Sequence, residues 1–327
     1  MEHGELHAPG CMLRAKEMEF LIWIFYFIVF PGFLFTAVVG CLAGWVDRKV
    51  TARVQWRVGP PWYQSFADFF KLMGKETIVP EGSAKNTFLL SPLFGCAAVV
   101  TVSLIIWLSL LKPAGLFVGD LIVVLYLLTI PAICVIIGGF ASKNPLSSLG
   151  ASREMKLVLA YELPFILAIM VPVAQSGSIK IGELIRYQSE NGMFIGSVSG
   201  LLAFLVAIIC QQAKLTLVPF DIPEAETEIV AGPYMEYSGV PLAVYKLTRM
   251  MMLFVMPMFL VVVFLGGIDF SGWHALTGIL KYVAILVIVV LVRNTNPRLR
   301  IDQAVRFFWG PVFAVAIIAM ILALLGL

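Results

Sequence analysis

About eight uninterrupted apolar stretches, each near the twenty or so residues that a bilayer's hydrocarbon core requires of a helix, take up roughly half or more of this 327-residue chain. Backbone N–H and C=O groups inside lipid find no water, so only helices and closed barrels can cross it. The stretches lack the period-two alternation of barrel strands. The expected fold class is therefore all-α, a polytopic transmembrane bundle of about eight helices, with spans near 20–46, 88–111, 120–140, 155–174, 194–218, 240–267, 278–292 and 307–327. The separators are rich in Pro, Gly, Asn and Ser, as connections require. The first stretch is too long for a signal-peptide core and shows no small-residue cleavage site, so it is expected to be retained as the first helix.

Only 13% of the residues are charged and 60% are hydrophobic, against about 25% charged in an ordinary soluble domain. A water-soluble domain is thereby excluded, and residues 1–327 are expected to form a single integral membrane domain. The net charge of +3 is too small and dispersed for nucleic-acid binding. Cys11, Cys41, Cys96, Cys134 and Cys210 are scattered, without a Cys-x-x-Cys or adjacent histidines, so neither a metal site nor a disulfide framework is expected. His3 and His7 lie in the leader and His274 in a connection. No nucleophile-base pair or phosphate-cradling glycine loop appears, and no catalytic residue is assigned.

With the N-terminus outside, the inner segments hold fifteen of the 23 Lys and Arg residues and the outer segments six. The positive-inside bias then places both termini outside, with cytoplasmic loops at about 47–87, 141–156, 215–239 and 293–306. No internal repeat of the secondary-transporter kind is visible.

The first inner loop has apolar residues at 62, 66, 69, 70 and 73, one face of a helix, with Gln64, Asp68, Lys71 and Lys75 largely off it. An amphipathic helix at the membrane surface follows, with Trp62, Gln64, Phe66, Asp68 and Lys71 as its candidate docking residues; it either anchors the chain or frames a substrate or partner site. The third inner loop carries Asp221, Glu224, Glu226, Glu228 and Glu236 with no base from 215 to 245. Glu224 and Glu228, four apart, are expected to share a helical face and to raise one another's pKa, which suits a proton carrier. A wet acidic loop that docks a basic partner fits the composition as well.

Glu162 falls inside the fourth span, with Glu154 two turns before it and Pro164 loosening the backbone beside it. An intramembrane carboxylate serves an ion path or a structural pair. Lys246 and Arg249, i and i+3 in the sixth span, need anionic partners if buried, with Glu162, Glu228 and Glu236 as candidates. The candidate ion path is thus Glu162, Glu224, Glu226, Glu228 and Glu236, and the candidate charge partners are Glu154, Lys214, Lys246 and Arg249.

Asp47-Arg48-Lys49, Arg53-Val54-Gln55, Gly59-Pro60, Phe66-Ala67-Asp68, Lys71-Leu72, Tyr161-Glu162, the stretch 219–239 and Arg300-Ile301-Asp302-Gln303 together resemble the family of the membrane subunit that joins the two arms of respiratory complex I, the NADH dehydrogenase subunit 1 family. That resemblance implies eight helices, an interface with electron-transfer subunits, and a carboxylate chain leading protons from the interface into the bundle. The short run Gly59-Pro60-Pro61-Trp62-Tyr63-Gln64 and the run Lys75-Glu76-Thr77-Ile78-Val79-Pro80 are more similar to the membrane-anchor subunit of the membrane-bound hydrogenase and sulfane reductase branch than to the quinone-reducing branch.

Two positions depart from the respiratory pattern, each replacing an acid with a base: Lys214 in Ala213-Lys214-Leu215-Thr216-Leu217, and Arg249. A lone buried cation is costly, so both are expected to pair with carboxylates, with Glu228 and Glu236 nearest in sequence, leaving the path interrupted or detoured through Glu162.

The implied function is that of a non-catalytic membrane subunit of a multi-subunit ion-translocating oxidoreductase, anchoring the electron-transfer arm and coupling redox chemistry to proton or sodium translocation. The alternatives are the quinone-site membrane subunit of a complex I-like NADH or ferredoxin dehydrogenase, for which a chamber beneath residues 62–70 would be the mark, and an independent ion transporter. The resemblance implies no cofactor in this chain, and iron-sulfur clusters, with nickel-iron as an open alternative, in partner subunits. It implies electron-transfer subunits at the cytoplasmic face, antiporter-like membrane neighbours, and a prokaryotic plasma membrane.

Overall fold

The computed structural model describes residues 22–111, 120–269 and 273–326, and no strand occurs among them. The leader with His3, His7 and Cys11 lies outside the described residues. Thirteen helices are numbered here in chain order. Those with transmembrane character are α1 (Phe33–Val54), α3 (Lys85–Leu111), α4 (Asp120–Leu127) continued by α5 (Ile130–Ala141), α6 (Pro145–Ser176), α8 (Val198–Lys214), α10 (Gly239–Phe264), α11 (Trp273–Thr295), and α12 (Ile301–Phe307) continued through a π turn into α13 (Phe313–Leu324). Seven segments are long and apolar enough to cross a membrane, and α8 is an eighth, shorter apolar helix. The eight runs read from hydropathy are thereby accounted for.

Several boundaries differ from expectation, each for a local reason. The first span runs Ile22–Val54, but its helix breaks at Pro31 and Gly32, where proline has no N–H to give. The loop expected at 141–156 shrinks to a few residues. Asn144 caps α6, accepting from Leu146 N at 2.9 Å, and Pro145 occupies the first helical position, so the helix starts ten residues earlier than its apolar run. At about 1.5 Å per residue α6 is far longer than a bilayer core, and its first turns project beyond it. Helix α8 is trimmed at both ends, by the Ser197 cap and by Thr216 in the left-handed region just after Lys214.

Helix α10 is the axis of the bundle. Its residues from Met251 to Phe264 are buried without interruption, which is how a helix apolar on every side resolves its pattern. It packs against α1 and α3, while α6 packs on α8 and α13. The approach of α1 is set by Gly40, where a Cβ would lie 2.9 Å from Met250 O and Met251 Cα; small residues let membrane helices come this close.

The amphipathic helix is present as α2 (Gln64–Met73), beginning after Trp62. Its inward face is not the expected apolar stripe. Ser65, Phe66 and Phe69 turn toward the bundle, whereas Trp62, Phe70 and Met73 are exposed. Two sets of contacts close the opposite end. Asp120 Oδ1 accepts from Leu121 N at 2.8 Å and Ile181 N at 2.9 Å, fixing α7 (Ile181–Asn191), and Gln188 donates to the free carbonyls of Val262 and Val263 at the end of α10.

Replacing Gly40 with alanine places a methyl group against backbone that cannot yield. Gly40→Ala is expected to cost about 1–3 kcal/mol and to lower the unfolding midpoint of the detergent-solubilised protein, whereas Gly310→Ala, at a site with nothing within 4 Å, leaves it unchanged.

Candidate functional site

Charged residues drawn from opposite ends of the sequence meet at one end of the bundle. The last turn of α8 presents Lys214, whose side chain is only 1% exposed, to Glu162 on α6, with Nζ 3.0 and 3.2 Å from the two carboxylate oxygens. The ammonium also lies 4.6 Å from the centre of the Phe165 ring and 5.7 Å from that of Tyr161, and Lys214 belongs to the last turn of its helix, where positive charge is favoured. A second, half-buried pair joins Arg249 Nη1 on α10 to Glu224 Oε2, while Arg249 Nη2 donates to Thr216 O at 3.3 Å.

Pairing of both inverted bases is as expected, but the partners are not. Glu228 and Glu236 are not the acids that meet them. Glu228 reaches Arg153 at 2.5 Å in an exposed pair, worth little in water, and Glu236 accepts from Asn144 Nδ2 at 2.5 Å. Nor do Glu224 and Glu228 share a helical face. The α-helical turn of this loop, α9, spans Glu226–Ile229 and leaves Glu224 outside it, so two different arginines claim the two carboxylates. The Glu226 side chain lies outside the described residues. Lys246 is exposed and has no hydrogen-bond or ion-pair partner among the described residues. Glu162, offered as a detour, is itself engaged by Lys214.

Glu154 stands between the two pairs. It is 3% exposed, and its Oε2 has no hydrogen-bond partner among the described residues. It borders a cavity of about 50 Å³ together with Lys214, Thr216, Tyr234, Tyr245 and Arg249, enough room for water with several polar partners. On the other side of Arg249 and Leu215 opens a vestibule of about 630 Å³ with nine charged side chains in its wall, six basic and three acidic. Asp47 meets Arg293 at 2.7 Å and Asp221 meets Arg298 at 3.0 Å there. Burial and then the nearby Glu224 carboxylate hold the Asp221 carboxyl above the usual range, against the opposing pull of Arg249, Arg298 and Arg293. A polar line thus runs from the vestibule, past the Arg249 and Glu224 pair, through the small cavity at Glu154 to Lys214 and Glu162.

Residues of the wall such as Asp47, Asp221, Arg293 and Arg298 stand out in no local pattern. In sequence they are span-end charges like any others, and the bond between Asp47 and Arg293 crosses 246 positions. Trp62, Gln64, Phe66 and Asp68 lie at or on α2, and none of them lines the vestibule; Asp68 borders a second, smaller cavity with Lys71 and Lys246.

The acidic loop is held in place by hydroxyl groups and small residues. Tyr237 stacks on Phe88 with ring centres 4.0 Å apart and donates to Phe88 O, Tyr245 donates to Cys134 O, and Ser91 Oγ lies within hydrogen-bond reach of both phenols. Ser147 donates to Pro233 O, and Gly150 leaves room for the Gly232 and Pro233 backbone. The loop is coupled to the first one through Ser238, which accepts from Ile78 N at 2.9 Å. Among the described residues no group of three or more His, Cys, Asp or Glu side chains could hold a metal ion.

The chain is similar to known proteins over most of its length. Residues 26–324 match a protein family described as NADH dehydrogenase. The chain is similar to the H-type subunit of the NADH-quinone oxidoreductase of Bacillus cytotoxicus, 33% identical over 90% of this chain and 92% of that protein, and to that of Geobacillus thermodenitrificans, 30% identical over 98% and 97%. Among solved structures it is similar to a chain of a membrane-bound sulfane sulfur reductase, an archaeal respiratory membrane complex, with a TM-score of 0.81 and 30% identity over 96% of this chain and 99% of the other.

The buried pair gives a sharp expectation. Removing one partner of a buried ion pair leaves the other charge uncompensated and typically costs about 3–5 kcal/mol. Glu162→Gln should therefore lower the unfolding midpoint strongly, and adding Lys214→Met to it should restore most of the loss. Thermal unfolding of the single and double variants measures the difference.

Proposed function

From the premise that the chain belongs to the NADH dehydrogenase family, in its H-type branch, and is a multi-pass membrane subunit of an oxidoreductase complex, we propose that it anchors the electron-transfer arm of an ion-translocating complex of the hydrogenase or sulfane reductase type and passes the redox-driven change into the membrane. The observation that carries this reading is the polar line from the vestibule to Glu162, with the Arg249 and Glu224 pair standing between vestibule and inner cavity. A change of charge or geometry at the vestibule shifts that pair, and the pair's state sets the field at Glu154 and Lys214. A two-state element biased from one side is what coupling between distant events requires. The chain itself supplies no redox group in this reading; iron-sulfur clusters, and nickel-iron if the partner is a hydrogenase, sit in the soluble subunits. Antiporter-like membrane subunits receive the change laterally. The whole chain acts as one membrane domain, with the vestibule on the cytoplasmic side of a prokaryotic plasma membrane and both termini outside.

The vestibule also bears on the acceptor. Pockets for small organic ligands are mostly apolar with a few polar groups, whereas nine charged side chains line this one. That favours a hydrated, charge-responsive chamber over a quinone pocket. The two cytoplasmic loops linked through Ser238 provide the docking surface. The first exposes Trp56 at 97% and Val58 at 96%, apolar area of the kind partner subunits cover.

In the assembled complex, Arg249→Gln is expected to leave electron transfer to an artificial acceptor intact while lowering the ions moved per electron by about five- to tenfold, a coupling loss near 1 kcal/mol or slightly more. Ion uptake into inverted vesicles measured beside electron flux checks this, and an unchanged ratio sinks the coupling role. Docking is read separately. A thiol placed by Val58→Cys should react with a membrane-impermeant maleimide once the soluble arm is stripped and be protected in the intact complex.

A further inference from the structure

Lys246 lies seven residues into α10, about 10 Å from its start, exposed and without a hydrogen-bond or ion-pair partner among the described residues. An ammonium at that depth in a membrane helix requires an anion or water. It borders a cavity of about 280 Å³ where α2 lies against α1 and α10, and Arg48, Lys71 and Lys75 border the same cavity. The acid in that wall, Asp68, is already engaged, by Arg48 at 2.8 Å and Gln64 at 3.0 Å. Burial raises its pKa, but those two hydrogen bonds and the charges of Arg48 and Lys246 outweigh it and hold the carboxyl below its ordinary value, so it stays ionised and spent on its neighbours. The remaining wall is apolar, formed by Phe69, Leu72, Leu247 and Met250.

We propose that this cavity binds an anionic phospholipid, with the phosphodiester headgroup held by Lys71, Lys75 and Lys246 and the hydrocarbon chains running down the apolar wall toward the bilayer. Three features favour a lipid over a free anion. The basic rim sits directly on an apolar wall, a combination matched by an amphiphile and not by phosphate. Trp62, Phe70 and Met73 point outward from α2 beside it, as on a helix lying in the headgroup layer. The site also opens between a surface helix and a membrane helix, where basic pockets take lipid headgroups. Arg48, Lys246 and Met250 border both this cavity and the vestibule. A bound lipid therefore supplies an anion for Lys246 and closes the vestibule against the bilayer on that side.

Native mass spectrometry of the purified complex tests the proposal, with dioleoyl phosphatidylglycerol, dioleoyl phosphatidylcholine or inorganic phosphate added during detergent exchange. The wild type is expected to retain phosphatidylglycerol in clear preference to phosphatidylcholine and to keep it in millimolar phosphate. Each lysine is expected to contribute about fivefold, so Lys246→Gln lowers retention by about that factor and Lys71→Gln with Lys75→Gln by more, while Lys246→Arg preserves it. Equal retention of the two lipids by the wild type overturns the proposal even if a variant fails to assemble. Displacement by phosphate overturns it in favour of a free-anion site. Unchanged lipid retention in the glutamine variants also overturns it, and loss of a soluble subunit in those variants would then identify an acidic protein segment as the occupant. The readout is lipid retention rather than ion movement, so it fails or succeeds independently of the coupling role.

Discussion

An ionised group away from water must meet an opposite charge, and in this chain that requirement organises one end of the bundle. Lys214 is almost wholly enclosed, so α8 can end where it does only because Glu162 on α6 comes within 3.0 Å of its ammonium. The pair fixes the relative position of two long helices, and the rings of Tyr161 and Phe165 complete its enclosure. Arg249 and Glu224 do the same for α10 and the acidic loop. With both bases neutralised, Glu154 is left between them as a buried carboxyl, one of whose oxygens meets no hydrogen-bond partner among the described residues. A group so placed responds to whatever happens to either pair.

The acidic loop at 219–239 illustrates how a polar segment is held with little regular structure. It contains one helical turn and one short 3-10 turn, too little to position five carboxylates. Its place is set from outside, by Tyr237 stacked on Phe88, by the phenols gathered at Ser91, and by glycines of α5 and α6 that let its backbone settle against them. Because Ser238 also bonds to the segment at 76–78, the two loops are tied to one another. The vestibule is lined by residues of the first loop, of the acidic loop and of the membrane helices, among them both members of the Arg249 and Glu224 pair.

The amphipathic helix α2 lies against α1 and α10 at that end of the protein. Its inward residues complete the wall around Arg48 and Asp68, and the aromatic residues Trp62 and Phe70 beside and on it are exposed. Lys246 borders both the cavity under this helix and the charged chamber.

What the sequence determined by itself is whatever depends on sums over neighbouring residues. Hydropathy over about twenty positions located the eight apolar runs, because the cost of placing backbone and side chains in lipid is additive along a helix. The amphipathic segment near 64–73, the acidic loop, and the need of Lys214 and Arg249 for anions were legible for the same reason. Tertiary structure decided everything that depends on which distant residues meet. Glu162 and Lys214 are 52 positions apart and Asp47 and Arg293 are 246 apart, and no local pattern ranks such partners. Nearness in sequence pointed to Glu228 and Glu236 for the inverted bases. Packing instead put Glu224 and Glu162 there, because the approach of α6 to α8 and of the acidic loop to α10 brings those carboxylates within reach of Lys214 and Arg249.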